Sequence, residues 1–297
     1  MQSEEIDEIL RRALSEDIGS GDVTTEATVD PLTRASGKFR AKADGLISGT
    51  SIVSRVFALL DQSTNVDWHV SDGDRVVAGT TLGEVSGPAR AILTGERTAL
   101  NILQRMSGIA SMTSEMVATV KGSGSVILDT RKTAPGLRAL DRMAVRDGGG
   151  SNHRRGLYDM VLIKDNHIVA SGGITEAVSN ARKKLNGMQE PNLKIEVEAR
   201  TLDEVREVIR HFEKTGDPDR IMLDNMVRVT DEQTVDTTML CEAIDVIGGR
   251  LETEASGNVT VRSASAIAAT GVNFISSGLL THSVTALDIS LQLVLTK

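Results

Sequence analysis

The chain has 297 residues, 40% of them hydrophobic, and a formal net charge of −8. It is long enough for one barrel-sized domain and a smaller one. An acidic pI near 5.3 and only 2% aromatic residues, with no basic stripe among stacking side chains, argue against nucleic acid as the partner. A single cysteine, Cys241, excludes an internal disulfide and a thiol-rich metal site and suits a reducing cytosol.

In chain order, residues 1–15 read as an acidic amphipathic helix with Ser3 as N-cap and Ile6, Ile9, Leu10, Ala13 and Leu14 on one face, so no cationic signal segment is expected. No apolar run approaches the roughly 18 residues of a membrane span; a soluble, cytoplasmic protein is expected. Residues 33–90 alternate short strands with turns such as Asp44-Gly45 and Asp72-Gly73, with one helix over residues 52–60, and predict a small α+β domain. Within them Ser71-Asp72-Gly73-Asp74-Arg75-Val76-Val77-Ala78-Gly79 resembles the turn signature of biotinyl and lipoyl carrier domains. No lysine sits in a carrier-type hairpin after it, so this is a signal of fold alone. A helix follows over residues 91–120, interrupted near Gly108.

Beyond residue 120, apolar strands alternate with helical segments. Strands are predicted at residues 126–128, 160–163, 193–197 and 221–223, then one ending near Leu251 and one at 272–275. Spacings of roughly 20 to 35 residues are those of βα units around a parallel sheet. Six strands rather than eight predict an open, incomplete α/β barrel over residues 110–282, with residues 1–109 as the N-terminal domain. The tail from 283 to 297 reads as a terminal helix that packs on that first domain.

Charge is concentrated in this second half. Residues 131–164 carry eight Lys or Arg against three acids, while the rest of the chain carries −13. A compact basic island in an acidic protein focuses field lines on a small anion, which points to a multiply charged metabolite. Reactive groups recur beyond the strands: Arg131 and Lys132, Lys164, Glu198, Asp224, Ser256 to Asn258, and Ser276 to Gly278. In α/β barrels the carboxyl ends of the strands build the site, so all of these are expected in one mouth.

Each group has a plain reading beside the functional one. Arg131 and Lys132 are either a solvated pair or, given their place after a strand, a fork for carboxylate and a point charge for phosphate. Gly148-Gly149-Gly150-Ser151-Asn152-His153-Arg154 is either a flexible loop or a backbone that admits close ligand approach, with His153 and Arg154 reaching an anion. Lys164 is a Schiff-base nucleophile, a phosphate ligand or a rim residue; neighbouring cations and no evident base weigh against the nucleophile. Glu198 and Asp224 either neutralise the cations or hold ribose hydroxyls and Mg²⁺, partly through water. Ala255-Ser256-Gly257-Asn258 and Ser276-Ser277-Gly278, last in order, resemble barrel phosphate cups.

With these residues in place, the chain resembles the quinolinate phosphoribosyltransferases over nearly its whole length. The resemblance runs through Glu16-Asp17-Ile18-Gly19-Ser20-Gly21-Asp22-Val23-Thr24-Thr25, Glu96-Arg97-Thr98-Ala99-Leu100-Asn101, Asp129 to Gly136, His153-Arg154, Ile163-Lys164-Asp165-Asn166-His167, Glu196-Val197-Glu198, Leu223-Asp224-Asn225 and Leu280-Thr281-His282-Ser283. One stretch departs: at Leu251-Glu252-Thr253-Glu254-Ala255-Ser256-Gly257-Asn258 the family runs more directly from strand to Ser-Gly-Gly, with two fewer residues and Gly where Asn258 stands.

The resemblance implies a pentosyltransferase with an N-terminal α/β-sandwich-like domain and an open barrel. It implies a homodimer with shared active sites and admits a hexamer of such dimers. Quinolinate would meet Arg131, His153, Arg154 and Lys164, together with Arg97 of the neighbouring subunit. Phosphoribosyl pyrophosphate would meet Lys132 and Lys164, with Glu198 and Asp224 at its ribose and Mg²⁺. Its 5-phosphate would meet Ser256, Gly257, Asn258, Ser277, Gly278 and His282. Lys132, Lys164, Glu198 and Asp224 are the expected catalytic set. An aldolase-like barrel working through Lys164, a noncatalytic carboxylate-binding module, and a relative acting on another pyridine carboxylate are the alternatives.

Overall fold

The structure, a computed structural model, describes residues 2–188, 192–229 and 234–295. The chain forms two compact units: Met1–Ser114 with Thr133–Gly149 and Leu280–Lys297, and Glu115–Lys132 with Gly150–Leu279.

The first unit is built on an antiparallel sheet of β1 (Arg34–Ala41), β3 (Asn65–Trp68), β5 (Thr81–Pro88) and β14 (Ile289–Leu295), in the order β14-β1-β5-β3; β2 (Gly45–Leu46) and β4 (Arg75–Val76) form a separate short pair. Phe39 packs against Phe57 of the helix Thr50–Leu60 and stacks on Trp68 at 5.0 Å between ring centroids. Two expectations fail here. The tail is a strand, pairing Ala41 with Ile289 through to Ala35 with Leu295. Ile289, Leu291, Leu293 and Leu295 alternate with Ser290, Gln292 and Val294, and period two presents one apolar face to a sheet where a helix would scatter it. The helix Ala89–Thr119 also runs unbroken through Gly108. A Cβ there would strike the Thr285 carbonyl, so this glycine serves a close approach of backbone rather than a helix break.

The second unit holds β6 (Val126–Leu128), β7 (Val161–Ile163), β8 (Ile195–Ala199), β9 (Arg220–Asp224), β12 (Glu252–Ser256) and β13 (Phe274–Ser276), all parallel, in the order β6-β13-β12-β9-β8-β7; β10 (Arg228–Val229) and β11 (Val235–Asp236) form a side hairpin. No pairing between β6 and β7 occurs among the described residues, so the barrel is open. The edge of β6 is taken by Ser151, whose N–H donates to Ile127 O and whose carbonyl accepts from Asp129 N. Ile127, Val197, Ile221, Leu223 and Ile275 are buried within it.

Strand ends differ from expectation in ways that matter to the site. β12 begins after Leu251 rather than ending there. The stretch at residues 251–258, expected to carry two extra residues before the phosphate cup, is largely the strand itself over Glu252–Ser256, which its charged side chains disguised. Glu198 lies within β8, and Asp224 and Ser256 are the last residues of β9 and β12, so these groups belong to rigid strands rather than to the loops after them. The helix Leu202–Thr215 then starts at a reciprocal cap, Thr201 Oγ1 accepting from Glu204 N and Glu204 Oε2 from Thr201 N, which fixes the turn out of β8.

Candidate active site

Alternation along β8 puts Glu196 and Glu198 on the same face, and the parallel sheet buries both. Glu198 Oε2 accepts a hydrogen bond from Lys164 Nζ at 2.7 Å, bringing the end of β7 to that of β8. Arg200, two residues on, reaches back across the mouth: Nη2 lies 2.9 Å from Glu198 Oε1, Nε 3.2 Å from Asp224 Oδ2 and Nη1 2.8 Å from Asp165 Oδ2. The expected pair Glu198 and Asp224 is thus joined by one cation. Two hard-oxygen carboxylates that share a cation suit Mg²⁺, and Arg200 shows that they can face one positive centre together. Lys164 is engaged as an ammonium donor, which does not favour its service as a free amine nucleophile.

A second group lies on the β6 side. Asp129 is fully buried at the end of β6; its Oδ1 accepts from the amide of His153 at 2.7 Å and its Oδ2 from Asn152 Nδ2 at 2.8 Å. His153 is 8% exposed, and its Nε2 faces Glu196 Oε2 at 3.2 Å and Glu254 Oε2 at 3.4 Å. Its Nδ1 accepts the amide N–H of Arg154 at 2.6 Å, so the ring's own proton sits on Nε2, toward the carboxylates. Burial disfavours a charged ring, but the hydrogen bonds and charges of Glu196 and Glu254 outweigh it and push His153 up to about 9. Burial and the neighbouring Glu254 charge push Glu196 up to about 7. Both shifts describe one proton held among three groups. With Nδ1 occupied by the backbone, that proton belongs on the carboxylate side.

Arg131 and Arg154 are cations whose heads are incompletely hydrogen-bonded. Among the described residues Nε of each is buried without a hydrogen-bond partner, and Arg154 Nη1 donates to Met160 O at 3.3 Å. Burial and the like charge of Arg131 hold Arg154 below the usual guanidinium range. Guanidinium forks of this kind suit carboxylates, which they can bind through two parallel hydrogen bonds.

The turns expected to form the phosphate cup lie at the ends of β12 and β13. Gly257 and Asn258 both have positive φ, 93° and 52°, so Asn258 adopts the conformation that glycine would and keeps the turn despite the departure in sequence. A Cβ on Gly257 would clash with the Asn225 side chain, and Asn225 N donates to Ser256 O at 2.9 Å; only glycine lets these two corners interlock. Ser277, expected at the phosphate, is buried and spends its hydroxyl on Val259 O at 2.9 Å, bracing the cup. Gly278 follows at the end of β13. Lys132 is exposed, with its amide bonded to Thr130 Oγ1. Arg97, exposed on the helix Ala89–Thr119, and His282, whose Nδ1 is 2.6 Å from Ser283 Oγ, belong to the first unit. Sequence reasoning attached no role to Glu196, Glu254 or Arg200.

Comparison with known proteins gives the family. Residues 22–107 match the N-terminal domain model of quinolinate phosphoribosyl transferase and residues 109–292 its C-terminal domain model. The chain belongs to this family. It is 48% identical to quinolinate phosphoribosyltransferase [decarboxylating] 2b, mitochondrial, of Nicotiana tabacum, covering 97% of this chain and 82% of that one. A probable nicotinate-nucleotide pyrophosphorylase [carboxylating] of Bacillus subtilis is 42% identical over 98% of this chain and 94% of its own. The crystal structure of NadC from Streptococcus pyogenes superposes with a TM-score of 0.88 at 37% identity, covering 98% and 97% of the two chains.

Proposed function

We propose that the protein is a quinolinate phosphoribosyltransferase, transferring phosphoribosyl from phosphoribosyl pyrophosphate to quinolinate with loss of CO₂ and making nicotinate mononucleotide for NAD biosynthesis. Beyond family membership, the observation that carries this reading is the pair Arg131 and Arg154, each with a buried Nε lacking a partner, beside a mouth of lysine and carboxylates. In the transfer, the bond from ribose C1 to pyrophosphate breaks with its electrons on the leaving group, and the pyridine nitrogen lone pair forms the new bond to C1. The alkylated ring is cationic. When the carboxylate next to nitrogen leaves as CO₂, the electron pair stays on the ring carbon, stabilised by the ring charge, and a proton replaces the carboxylate.

The residues divide this work. Arg131 and Arg154 grip the adjacent carboxylates of quinolinate, with His153 behind them. Lys132 and Lys164 meet the charge that develops on pyrophosphate. Glu198 and Asp224 would hold the ribose hydroxyls and Mg²⁺, which when bound offsets the charge of the pyrophosphate. Ser256, Gly257, Asn258 and Gly278 offer a backbone cup to the 5-phosphate, with Ser277 behind it, and His282 is a further ligand of that phosphate by the family resemblance. Its single, exposed cysteine suits a cytoplasmic enzyme. The decisive assay is quinolinate-dependent release of both pyrophosphate and CO₂; release of neither by folded protein would reject the reading.

The enzyme is proposed to act as a homodimer in which Arg97 completes the neighbour's quinolinate site. Mixing inactive Arg97→Ala and Lys132→Ala proteins under subunit exchange would then restore about a quarter of wild-type activity, since half the dimers are mixed and each of those has one intact site. Confirmed heterodimers without activity would refute the shared site.

A further inference from the structure

Glu196 and Glu254 are fully buried, yet among the described residues Glu196 Oε1, Glu196 Oε2 and Glu254 Oε1 lack a hydrogen bond of good geometry, as does His153 Nε2 close by. Buried carboxylates so poorly satisfied weaken a sheet relative to apolar residues of similar size, so their presence calls for another cause. What they face is His153 Nε2, at 3.2 and 3.4 Å. His153 is also held through its backbone amide by Asp129 and at Nδ1 by the Arg154 amide. The two glutamates thus face one ring nitrogen, while the amide of the next residue, Arg154, engages the other.

A histidine with two acids, their ligand atoms all within 4.8 Å of one another, also has the make-up of a metal site. Arg220 argues against it: Nη1 lies 3.2 Å from Glu254 Oε2, and the same guanidinium lies over the Phe274 ring at 3.8 Å, so a fixed cation already stands where a metal ion would be repelled.

We propose that Glu196 and Glu254 are positioning residues of the quinolinate pocket: they fix the ring plane and Nε2–H tautomer of His153 and thereby set the direction in which Arg154 enters the site. This rests on the reading of Arg131 and Arg154 as quinolinate ligands. Neither glutamate touches the substrate; both act through His153.

The test uses full-length Glu196→Gln and Glu254→Gln, which keep the shape and remove the charge, with Glu196→Asp as the charge-conserving variant. Calorimetry is expected to show quinolinate affinity reduced at least tenfold in the Gln variants and phosphoribosyl pyrophosphate affinity changed by less than twofold, with partial recovery in Glu196→Asp. Melting temperatures should not fall. ¹⁵N spectra of histidine-labelled protein, with the His153 signals assigned by their loss in His153→Asn, should show the Nε2–H tautomer in the wild type and a mixture in the Gln variants. Unchanged quinolinate affinity, or a fall in melting temperature with both substrates weakened alike, would overturn the proposal. So would a stoichiometric metal ion lost from the Gln variants. Should one Gln variant not fold, the other with the spectra still decides. If wild-type protein binds no quinolinate, the functional reading fails, and the His153 spectra alone report whether the glutamates set the ring.

Discussion

In the first unit Asp141 is fully buried and both its oxygens are met by Arg105, Nε at 2.9 Å and Nη2 at 2.8 Å. In the barrel Glu196 and Glu254 are equally buried, and among the described residues three of their four oxygens lack a hydrogen bond of good geometry; Arg131 and Arg154 nearby each bury an Nε in the same state. A bidentate pair is a finished structure, and its atoms ask for nothing more. Unfinished pairs cost stability, so a chain keeps them where a ligand or a reacting group completes them. The contrast teaches where to look: not at buried charge as such, but at buried charge left incomplete.

The sharpest way to break that contrast is to treat the finished pair as if it were functional. Asp141→Ala leaves the Arg105 guanidinium without its carboxylate and is expected to destabilise the protein by about 3–5 kcal/mol. Urea unfolding measures this, while quinolinate affinity of the folded protein stays at the wild-type value. A stable variant with weakened binding would erase the distinction between the two regions. Next in size come Glu198→Ala and Asp224→Ala, each expected to lower turnover by roughly 10²–10³-fold, as for loss of a group aimed at transition-state charge, and to alter the Mg²⁺ dependence. Steady-state kinetics with wild-type turnover would make these acids mere neutralisers of Lys164 and Arg200.

Arg131→Ala and Arg154→Ala test the incomplete cations directly. Loss of one charged hydrogen-bond partner is worth about 1.5–3 kcal/mol, or roughly 10- to 150-fold in quinolinate affinity by calorimetry. Binding of phosphoribosyl pyrophosphate should be little changed. Equal loss for both ligands would place these arginines outside the dicarboxylate pocket.

How far this site was legible in the sequence depended on which physical signal each residue carried. Val126–Leu128 is a short apolar run bounded by turn residues, and its strand ends as predicted. Lys164 and Asp224 could be placed because each follows such a run. Glu196 gave no comparable sign: in Ile195-Glu196-Val197-Glu198-Ala199 strict alternation of charge and apolar residue describes a strand with one wet face, yet at its central place in the open, parallel sheet that face is buried. Glu254 sat inside a strand too polar to be seen as one. The tail at residues 289–295 and Gly108 failed for a shared reason, since the partner backbone that gives each its meaning lies far away in the chain.

Arg200 offers the smallest effect and the finest cut. It is exposed, it bonds Asp165, Glu198 and Asp224 at once, and it is the one residue that joins the two proposed Mg²⁺ carboxylates. A guanidinium in that place competes with a divalent cation for the same oxygens. Exposed ion pairs are worth about 0.2–1 kcal/mol each, so removing the three together should tighten divalent-cation binding by about 1–2 kcal/mol, roughly tenfold. Mn²⁺ titration of wild type and Arg200→Ala by electron paramagnetic resonance reads this without recourse to turnover. Tighter binding in the variant means that Arg200 completes these carboxylates only until the cation arrives, so the pair is unfinished in the same sense as Glu196 and Glu254. Weaker binding means the reverse: Arg200 would orient the two acids for the ion, and the pair would stand with Arg105 and Asp141 as a finished part of the structure.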